Sequence, residues 1–495
     1  VKLFRAFGVF AVASVVIMIS ANSVALSAPT EVPWHLDRIN QRVLPLDGNT
    51  DRGALTGAGV DVYIVDTGVR ATHEQFGGRV VPGVDYPTST GVSLVAPATS
   101  DCDGHGTHVS GLTAGATTGV APQARIISVR VLDCNGDGEV ENVAAALRWV
   151  RAHHRSGQPA IVNLSLGVDF GDDGRIIDAE VLALIKEGVV VTVAAGNGDS
   201  SGRPFDACQI SPGDVARALT VGAVTSTDAV ASYSNYGSCI DLFAPGGDRS
   251  RPLISSWFRS DSDYAPDVGT SMASPLVAGF AALLAQQQPG LCADDISNAI
   301  VSRATQGVIT GLDPVSPNRL LFIDTSLVPT GKPGQPSHVI VTSDGPSIVA
   351  SWDAPCSGGS PITGTTASLL LSGRVIKRAQ LAPGVNAVRF TGLRLGVKYQ
   401  VVVKAKNSVG AGVATPRVTS VPLRTIRKGQ TVRTTSIGSM YGMTLKWNVS
   451  KASSKVCAIR SNPTRLVALR VGTCRVGLRA IDGQRPVIRT FQIRS

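Results

Sequence analysis

Between residues 57 and 326 the chain alternates short apolar runs with stretches of helical periodicity. Val60-Asp61-Val62-Tyr63-Ile64-Val65 predicts a strand, as do Ala124 to Leu132, Ala160 to Leu166, Gly188 to Ala195 and Ala218 to Val224. Val143 to His154 and Asp178 to Glu187 predict helices between them. Near-continuous Val/Ile runs, rather than strict alternation, belong to strands buried on both faces. The expected fold class is therefore α/β, a parallel β-sheet flanked by helices. In such sheets chemistry collects beyond the carboxyl ends of the strands.

The pattern changes at Val328-Pro329-Thr330-Gly331-Lys332-Pro333-Gly334-Gln335-Pro336, where Pro and Gly are dense enough to predict a linker. Short strand-like runs with frequent turns follow, which predict two small all-β sandwich modules. At the other end, Lys2 and Arg5 precede the apolar stretch Phe7 to Ile19, then small residues such as Ser23-Val24-Ala25 and Leu26-Ser27-Ala28. This is the layout of a secretory signal, and the run is shorter than the roughly 20 residues that span a bilayer. The expected organisation is a signal peptide at 1–28, an α/β domain at 29–327, a linker at 328–336 and β modules at 337–422 and 423–495. No later run is of this kind, so no transmembrane anchor is expected in the mature chain.

Composition changes this picture in two ways. Eight cysteines (Cys102, Cys134, Cys208, Cys239, Cys292, Cys356, Cys457 and Cys474) suit an oxidising, extracellular setting, and none forms a C-x-x-C pair, which argues against a zinc cluster. The net charge of +10 conceals a split. From Leu327 onward there are 25 Lys+Arg and 3 Asp+Glu, a net of 25 − 3 = +22, so the first 326 residues carry −12. Such asymmetry assigns the two halves separate tasks.

Three short motifs carry candidate chemistry. In Val65-Asp66-Thr67-Gly68 a carboxylate ends an apolar strand, where burial is costly unless the charge is used. In Asp103-Gly104-His105-Gly106-Thr107-His108 glycines flank His105; His108 reads as a structural histidine, and a metal pair lacks the H-E-x-x-H spacing. In Gly269-Thr270-Ser271-Met272-Ala273-Ser274-Pro275 a serine stands near the start of an apolar helix, where unpaired N–H groups favour negative charge. Taken singly these are a turn, a loop and a helix cap. Together they supply a nucleophile, a base and an acid to orient the base, in the order Asp, His, Ser. Ala194-Ala195-Gly196-Asn197-Gly198 ends a further strand and offers the Asn197 amide to an oxyanion.

On these motifs, and on Pro33-Trp34-His35-Leu36-Asp37-Arg38-Ile39-Asn40-Gln41-Arg42, residues 33–326 resemble the subtilases, and among them the proteinase K branch. The resemblance implies a secreted or cell-surface serine endopeptidase with Asp66, His105 and Ser271 as catalytic triad, Asn197 as oxyanion donor and no catalytic metal. It implies broad specificity, with the peptide lying as an added strand between Gly136-Asp137-Gly138 and Ser165-Leu166-Gly167, and with Ala195 and Gly196 at the pocket for the residue before the cut. It also implies disulfides Cys102–Cys134 and Cys208–Cys239, and structural calcium at Asp241 with the carbonyls of Ala216 and Ala218. Asp47, Asn49 and Asp51 form a second calcium candidate. Subtilases usually carry a propeptide; here the signal-like start runs almost directly into Pro33-Trp34, so the expectation is a chain that folds unaided, with a helper chain, or poorly. The alternative reading is accordingly a catalytically impaired scaffold acting as a surface-binding protein.

Beyond the linker, Trp352-Asp353-Ala354-Pro355, Phe390-Thr391-Gly392-Leu393, Gly396-Val397-Lys398-Tyr399 and Ala405-Lys406-Asn407-Ser408-Val409-Gly410 resemble a fibronectin type III module, their apolar members forming its core. The final stretch, with Trp447, Leu466-Val467-Ala468-Leu469 and Cys457 and Cys474 closing a loop, resembles a small Ig-like module. The expected partners are peptide and protein substrates and, through the basic half, an anionic cell-envelope polymer. No nucleic-acid partner is expected, since no recognised reader motif is present, and the chain is expected to be a monomer.

Overall fold

The computed structural model describes residues 2–3 and 26–419, apart from 52, 87–99, 156–157, 170–173, 200, 345–346 and 395–396. From 424 onward it describes little more than the backbone of the strands. The chain divides into two compact units, Val1–Thr330 and Gly331–Ser495.

In the first unit the apolar runs become strands β2 (Asp61–Asp66), β3 (Val80–Asp85), β4 (Arg125–Arg130), β6 (Ala160–Leu164), β8 (Val190–Ala194), β10 (Leu219–Val224) and β11 (Leu242–Pro245). The two-residue strands β1 (Lys2–Leu3), β5 (Gly138–Glu139), β7 (Val168–Asp169) and β9 (Ile210–Ser211) lie outside the main sheet, as does the hairpin β12 (Leu253–Ser256) and β13 (Tyr264–Asp267). Two short edge strands, β14 (Thr305–Gln306) and β15 (Arg319–Leu320), complete a sheet of order β14-β15-β11-β10-β8-β6-β2-β4-β3. Every pairing in it is parallel except β14 with β15. From β2 the chain runs to the edge strand β3 and back to β4 between them, then crosses to the other side of β2 and adds β6, β8, β10 and β11 in turn. That reversal opens a crevice at the carboxyl end of β2, where ligands bind in open sheets of this kind.

Among the described residues six α-helices cover the sheet: α1 (Trp34–Asn40), α2 (His105–Ala114), α3 (Val140–His153), α4 (Arg175–Lys186), α5 (Thr270–Gln287) and α6 (Ala293–Arg303). Helix α3 buries Val143, Leu147 and Val150 on one face, the stripe expected of a surface helix. Helices α2 and α5 differ. Every residue of α2 is buried, as is α5 from Thr270 to Ala285, so both run inside the core. Residues at the amino ends of these two helices therefore stand in a water-poor interior, held on both sides.

Many buried polar groups are paired. Arg38 is fully buried and meets Asp228 through Nε–Oδ1 at 2.6 Å and Nη2–Oδ2 at 2.8 Å. Removing either partner would leave an uncompensated buried charge, a cost of about 3–5 kcal/mol. Disulfides Cys102–Cys134 and Cys208–Cys239 close loops of similar length, each stabilising by about 2–4 kcal/mol. Cys292, Cys356 and Cys457 are also disulfide-bonded; the side chain of Cys474 lies outside what the structure describes.

In the second unit, β16 (Ser337–Asp344), β17 (Ser347–Asp353) and β20 (Ala387–Phe390) form one sheet. A second sheet has the order β19-β18-β21-β22, from β18 (Gly364–Leu371), β19 (Arg374–Leu381), β21 (Gln400–Lys406) and β22 (Val418–Thr419). Trp352, Leu369, Phe390, Tyr399, Val401 and Val403 fill the space between them. Past residue 423 the strands form two further sheets. Among the described residues no helix is long and apolar enough to cross a membrane.

One buried residue makes stability depend on pH. His35 is fully buried with Nε2 3.0 Å from the carbonyl of Thr118, and burial lowers its pKa to about 4. The unfolded chain takes up this proton below about pH 6.5 and the folded chain does not, so stability present above pH 6.5 is lost as the pH falls towards 4. The loss from this group is about 3 kcal/mol. In a Ser271→Ala background that prevents self-digestion, denaturant titrations at pH 7 and pH 4 should differ by that amount more in the parent than in His35→Gln. An equal difference in both proteins would contradict this.

Candidate active site

Asp66 is the last residue of β2 and is wholly buried. Its Oδ1 accepts from the Thr67 N–H at 2.7 Å, and His105 Nδ1 lies 2.7 Å from Oδ1 and 2.9 Å from Oδ2. Such an acceptor pair requires the proton on Nδ1, which assigns proton exchange to Nε2. His105 is the first residue of α2, whose next residue must be glycine. A Cβ on Gly106 would lie 2.1 Å from the Gly68 carbonyl and 3.2 Å from Asp66 Oδ1, and would push the strand and helix ends apart.

Ser271 is the second residue of α5 and only 2% exposed. Its Oγ donates to the Ser165 carbonyl at 3.3 Å, while Ser165 Oγ donates to the Ser271 carbonyl at 2.8 Å. Beneath it, Asn163 Oδ1 accepts from Thr192 Oγ1 at 3.0 Å and Ser274 Oγ at 2.8 Å, and Asn163 Nδ2 donates to Ser165 Oγ at 2.9 Å. The carboxyl end of β6 is thus joined to the first turn of the serine's helix by buried hydrogen bonds.

Asn197 follows β8. Its Oδ1 accepts from the Thr270 N–H at 2.9 Å and from Thr270 Oγ1 at 2.8 Å, and Thr270 Oγ1 in turn accepts from the Gly196 N–H at 3.1 Å. Because the carbonyl oxygen is held this way, the Asn197 amide nitrogen is the end that remains to donate. The adjoining turn is braced by Asn235, which donates to the Ala195 carbonyl and accepts from the Gly198 N–H, both at 3.0 Å. Gly196 has φ +96°, and a Cβ there would meet Asn235 Nδ2 at 2.4 Å and Ile210 Cδ1 at 2.6 Å.

Two edges border this centre. The loop before β5 is turned by Asp133, whose Oδ1 accepts from Asn135 at 2.8 Å and Asp137 at 3.0 Å. Its outer edge accepts an extended segment: Lys2 and Leu3 pair antiparallel with Glu139 and Gly138. Opposite, Ser165-Leu166-Gly167 leads into β7, which pairs with β9. Ile210 touches both sides of the pocket region, its Cγ2 lying 2.8 Å from where a Gly167 Cβ would stand.

Several of these residues were not singled out from the sequence: Thr270, Asn163, Ser274, Asn235 and Ile210. Of the partners of Asn163, Thr192 and Ser274 lie 29 and 111 residues away, and Thr270 and Asn197 lie 73 residues apart. His108 is a structural group. Its Nε2 lies 3.1–3.2 Å from the carbonyls of Leu253 and Ala265, and burial lowers its pKa. Asp241 Oδ2 accepts from the Thr220 N–H at 2.9 Å, and burial raises its pKa to about 6. Ala218 is buried and Ala216 exposed beside the start of β10. Asp47 and Asp51 are exposed and accept from the N–H groups of Asn49 and Gly53, closing local turns. Among the described residues no three His, Cys, Asp or Glu side chains converge as a metal-holding group.

The chain is similar to known peptidases over this unit. The extracellular serine proteinase of Thermus sp. (strain Rt41A) is 44% identical over 298 residues, 60% of this chain and 68% of that protein. The alkaline serine exoprotease A of Vibrio alginolyticus is 43% identical over 293 residues; the match spans 59% of this chain and only half of that protein. The crystal structure of a cold adapted subtilisin-like serine proteinase is 40% identical, with a TM-score of 0.54, over 60% of this chain and all of that one. A model of the fibronectin type III domain matches residues 334–421. A model of the subtilase family matches residues 57–320, more than half of the chain, and by that match together with these relatives this protein belongs to the subtilase family.

Proposed function

We propose that this subtilase is a secreted serine endopeptidase in which Ser271 is the nucleophile, His105 the general base and acid, and Asp66 the group that orients His105. The observation that carries the reading is the buried Asp66–His105 pair at 2.7 Å at the mouth of the sheet crevice, with Ser271 and Asn197 at neighbouring strand and helix ends. Ser271 Oγ attacks the scissile carbonyl and passes its proton to His105 Nε2. Asn197 Nδ2 and the Ser271 N–H receive the oxyanion. His105 then protonates the leaving amine as the C–N bond breaks, and water resolves the acyl-enzyme with the same base. In the substrate-free site Ser271 Oγ donates instead to the Ser165 carbonyl at 3.3 Å, so the hydroxyl turns to His105 Nε2 when substrate binds, as catalytic hydrogen bonds often form fully only then.

The substrate lies as a strand along Gly136–Gly138 and against Ser165–Gly167. The pairing of Lys2–Leu3 with β5 supports this, because it uses the same edge. Main-chain recognition of this kind makes specificity broad. The side chain before the cut enters beside Leu166, Gly167, Ala195 and Gly196, with Ile210 limiting the depth.

Asp241 with the carbonyls of Ala216 and Ala218 would hold a structural calcium. A largely buried carboxylate whose pKa is raised by desolvation is suited to a hard cation. The Asp47, Asn49 and Asp51 loop is the weaker candidate, since its carboxylates already close turns.

The basic half serves to hold the protease on an anionic cell-envelope polymer. Residues 334–421 contain 9 Lys+Arg and 2 Asp+Glu, a net of 9 − 2 = +7. Exposed Arg378 stands on β19 and exposed Lys404 and Lys406 on β21, the two strands that flank β18.

Three measurements test these readings. Asn197→Ala should lower kcat about 10²–10³-fold with KM little changed; an unchanged kcat in a folded variant would remove its oxyanion role. Ile210→Gly should raise kcat/KM for Phe relative to Ala before the cut by about 10-fold, and an unaltered ratio would place the pocket floor elsewhere. The Ser271→Ala protein should bind isolated cell walls in low salt, and release them as salt rises or when Arg378, Lys404 and Lys406 are replaced by Glu. Binding insensitive to both would contradict an electrostatic hold.

A further inference from the structure

We propose that Asp101 is a positioning residue for the catalytic pair, its carboxylate clamping the end of β2 to the first turn of α2 and thereby setting the Asp66–His105 contact. The inference rests on the serine-peptidase reading above. It starts from the hydrogen bonds converging on this one side chain.

Oδ1 accepts from Thr67 Oγ1 at 3.0 Å, from the Asp103 N–H at 3.0 Å and from the Gly104 N–H at 2.9 Å. Oδ2 accepts from the Thr107 N–H at 3.0 Å and from Thr107 Oγ1 at 2.7 Å. Both hydroxyls donate to Asp101 while accepting from the backbone. Thr67 Oγ1 already accepts from the Gly106 N–H at 2.9 Å, and Thr107 Oγ1 from the Arg70 N–H at 3.0 Å. Each hydroxyl therefore turns its proton towards Asp101. Three of the five donors are backbone N–H groups, which can only donate, so the arrangement favours the anion.

The two ends joined in this way are the ones that carry the catalytic acid and base. Thr67 directly follows Asp66, whose carboxylate its N–H also holds; Gly106 and Thr107 directly follow His105. The path Asp101–Thr67–Gly106 crosses from β2 to α2 beside the Asp66–His105 bond. The N-cap of α2 is Gly104; Asp101, three residues earlier, takes up the Thr107 N–H, one of those that a helix start leaves unpaired. If the clamp loosens, the His105 ring loses its register against Asp66, and misplacement by about 1 Å can cost roughly 10²-fold in rate.

Its charge acts on the same pair. A second buried carboxylate near His105 favours the imidazolium that forms on proton transfer. Burial, with the neighbouring Asp66 charge, holds the Asp101 carboxyl above its ordinary value against the opposing bonds from Thr107 and Gly104. The other charged or titratable groups facing this corner are Asp66, Asp103 and His108, with Asp267 beyond His108, and Arg130 with its own neighbours Asp85 and Asp133.

The test measures kcat and KM per titrated active site from pH 5 to 9, and the His105 ring titration by NMR, for the full chain and for Asp101→Asn and Thr67→Val. Asp101→Asn should lose about 10–100-fold in kcat with KM within about 2-fold. Its acid limb and its His105 titration should both move to lower pH. Thr67→Val keeps the charge but cuts the path, so kcat should fall in the same sense while the His105 titration stays. A wild-type kcat per titrated site in Asp101→Asn, with an unmoved His105 titration, would overturn the proposal. Should Asp101→Asn fail to fold, a wild-type kcat in Thr67→Val would do so. Should the parent chain hydrolyse no peptide, the peptidase reading fails, and an unmoved His105 titration in Asp101→Asn would still decide against the clamp.

Discussion

A negative charge stands at the end of an entirely buried strand, and the centre is arranged around that charge. Asp66 closes β2 with no exposure, where an unpaired carboxylate would be strongly disfavoured. It is kept by the Thr67 N–H and by the His105 ring, so the cost of burial is offset by the bond that orients the base. Glycine at 106 lets the helix approach closely enough for that bond, and the topological reversal lies beside β2, where open sheets of this kind bind ligands. Moving any one of these would leave either the charge unsatisfied or the imidazole misaligned.

The remaining parts are fixed to the same frame by buried polar links. Ser165 and Asn163 hold the first turn of α5 to the end of β6. Thr270 holds it to the turn after β8, where it also sets which end of the Asn197 amide donates. Three adjacent strands and two core helices thus meet at one place. Because α2 and α5 are buried on all sides, their amino ends have little room to move. That rigidity is what placing donors in advance of an oxyanion requires.

The sheet was legible in the sequence because its strands are apolar runs, and Val60 to Val65 could hardly be anything else. Short edge elements such as β14 and β15, and the β12–β13 hairpin, carry little periodic signal and went unread. Asp66, His105 and Ser271 were legible only in each other's company; Trp352, Phe390 and Tyr399 announced the core of the fibronectin type III module. Thr270, Asn235 and Asp101 were not legible. Each is a common polar residue whose role comes from partners that only folding brings near, or, for Asp101, from five donors drawn partly from its own loop.

The central claim is that Ser271 is an activated nucleophile within an assembled triad. Labelling the purified chain with a fluorophosphonate, mapping the adduct by mass spectrometry and comparing Ser271→Ala tests this most directly, since the probe needs both the base and the oxyanion donors. The account predicts one adduct, on Ser271, absent in the variant. A folded protein that takes up no probe, or takes it up elsewhere, would contradict the account and favour a binding scaffold that has kept the fold without the chemistry.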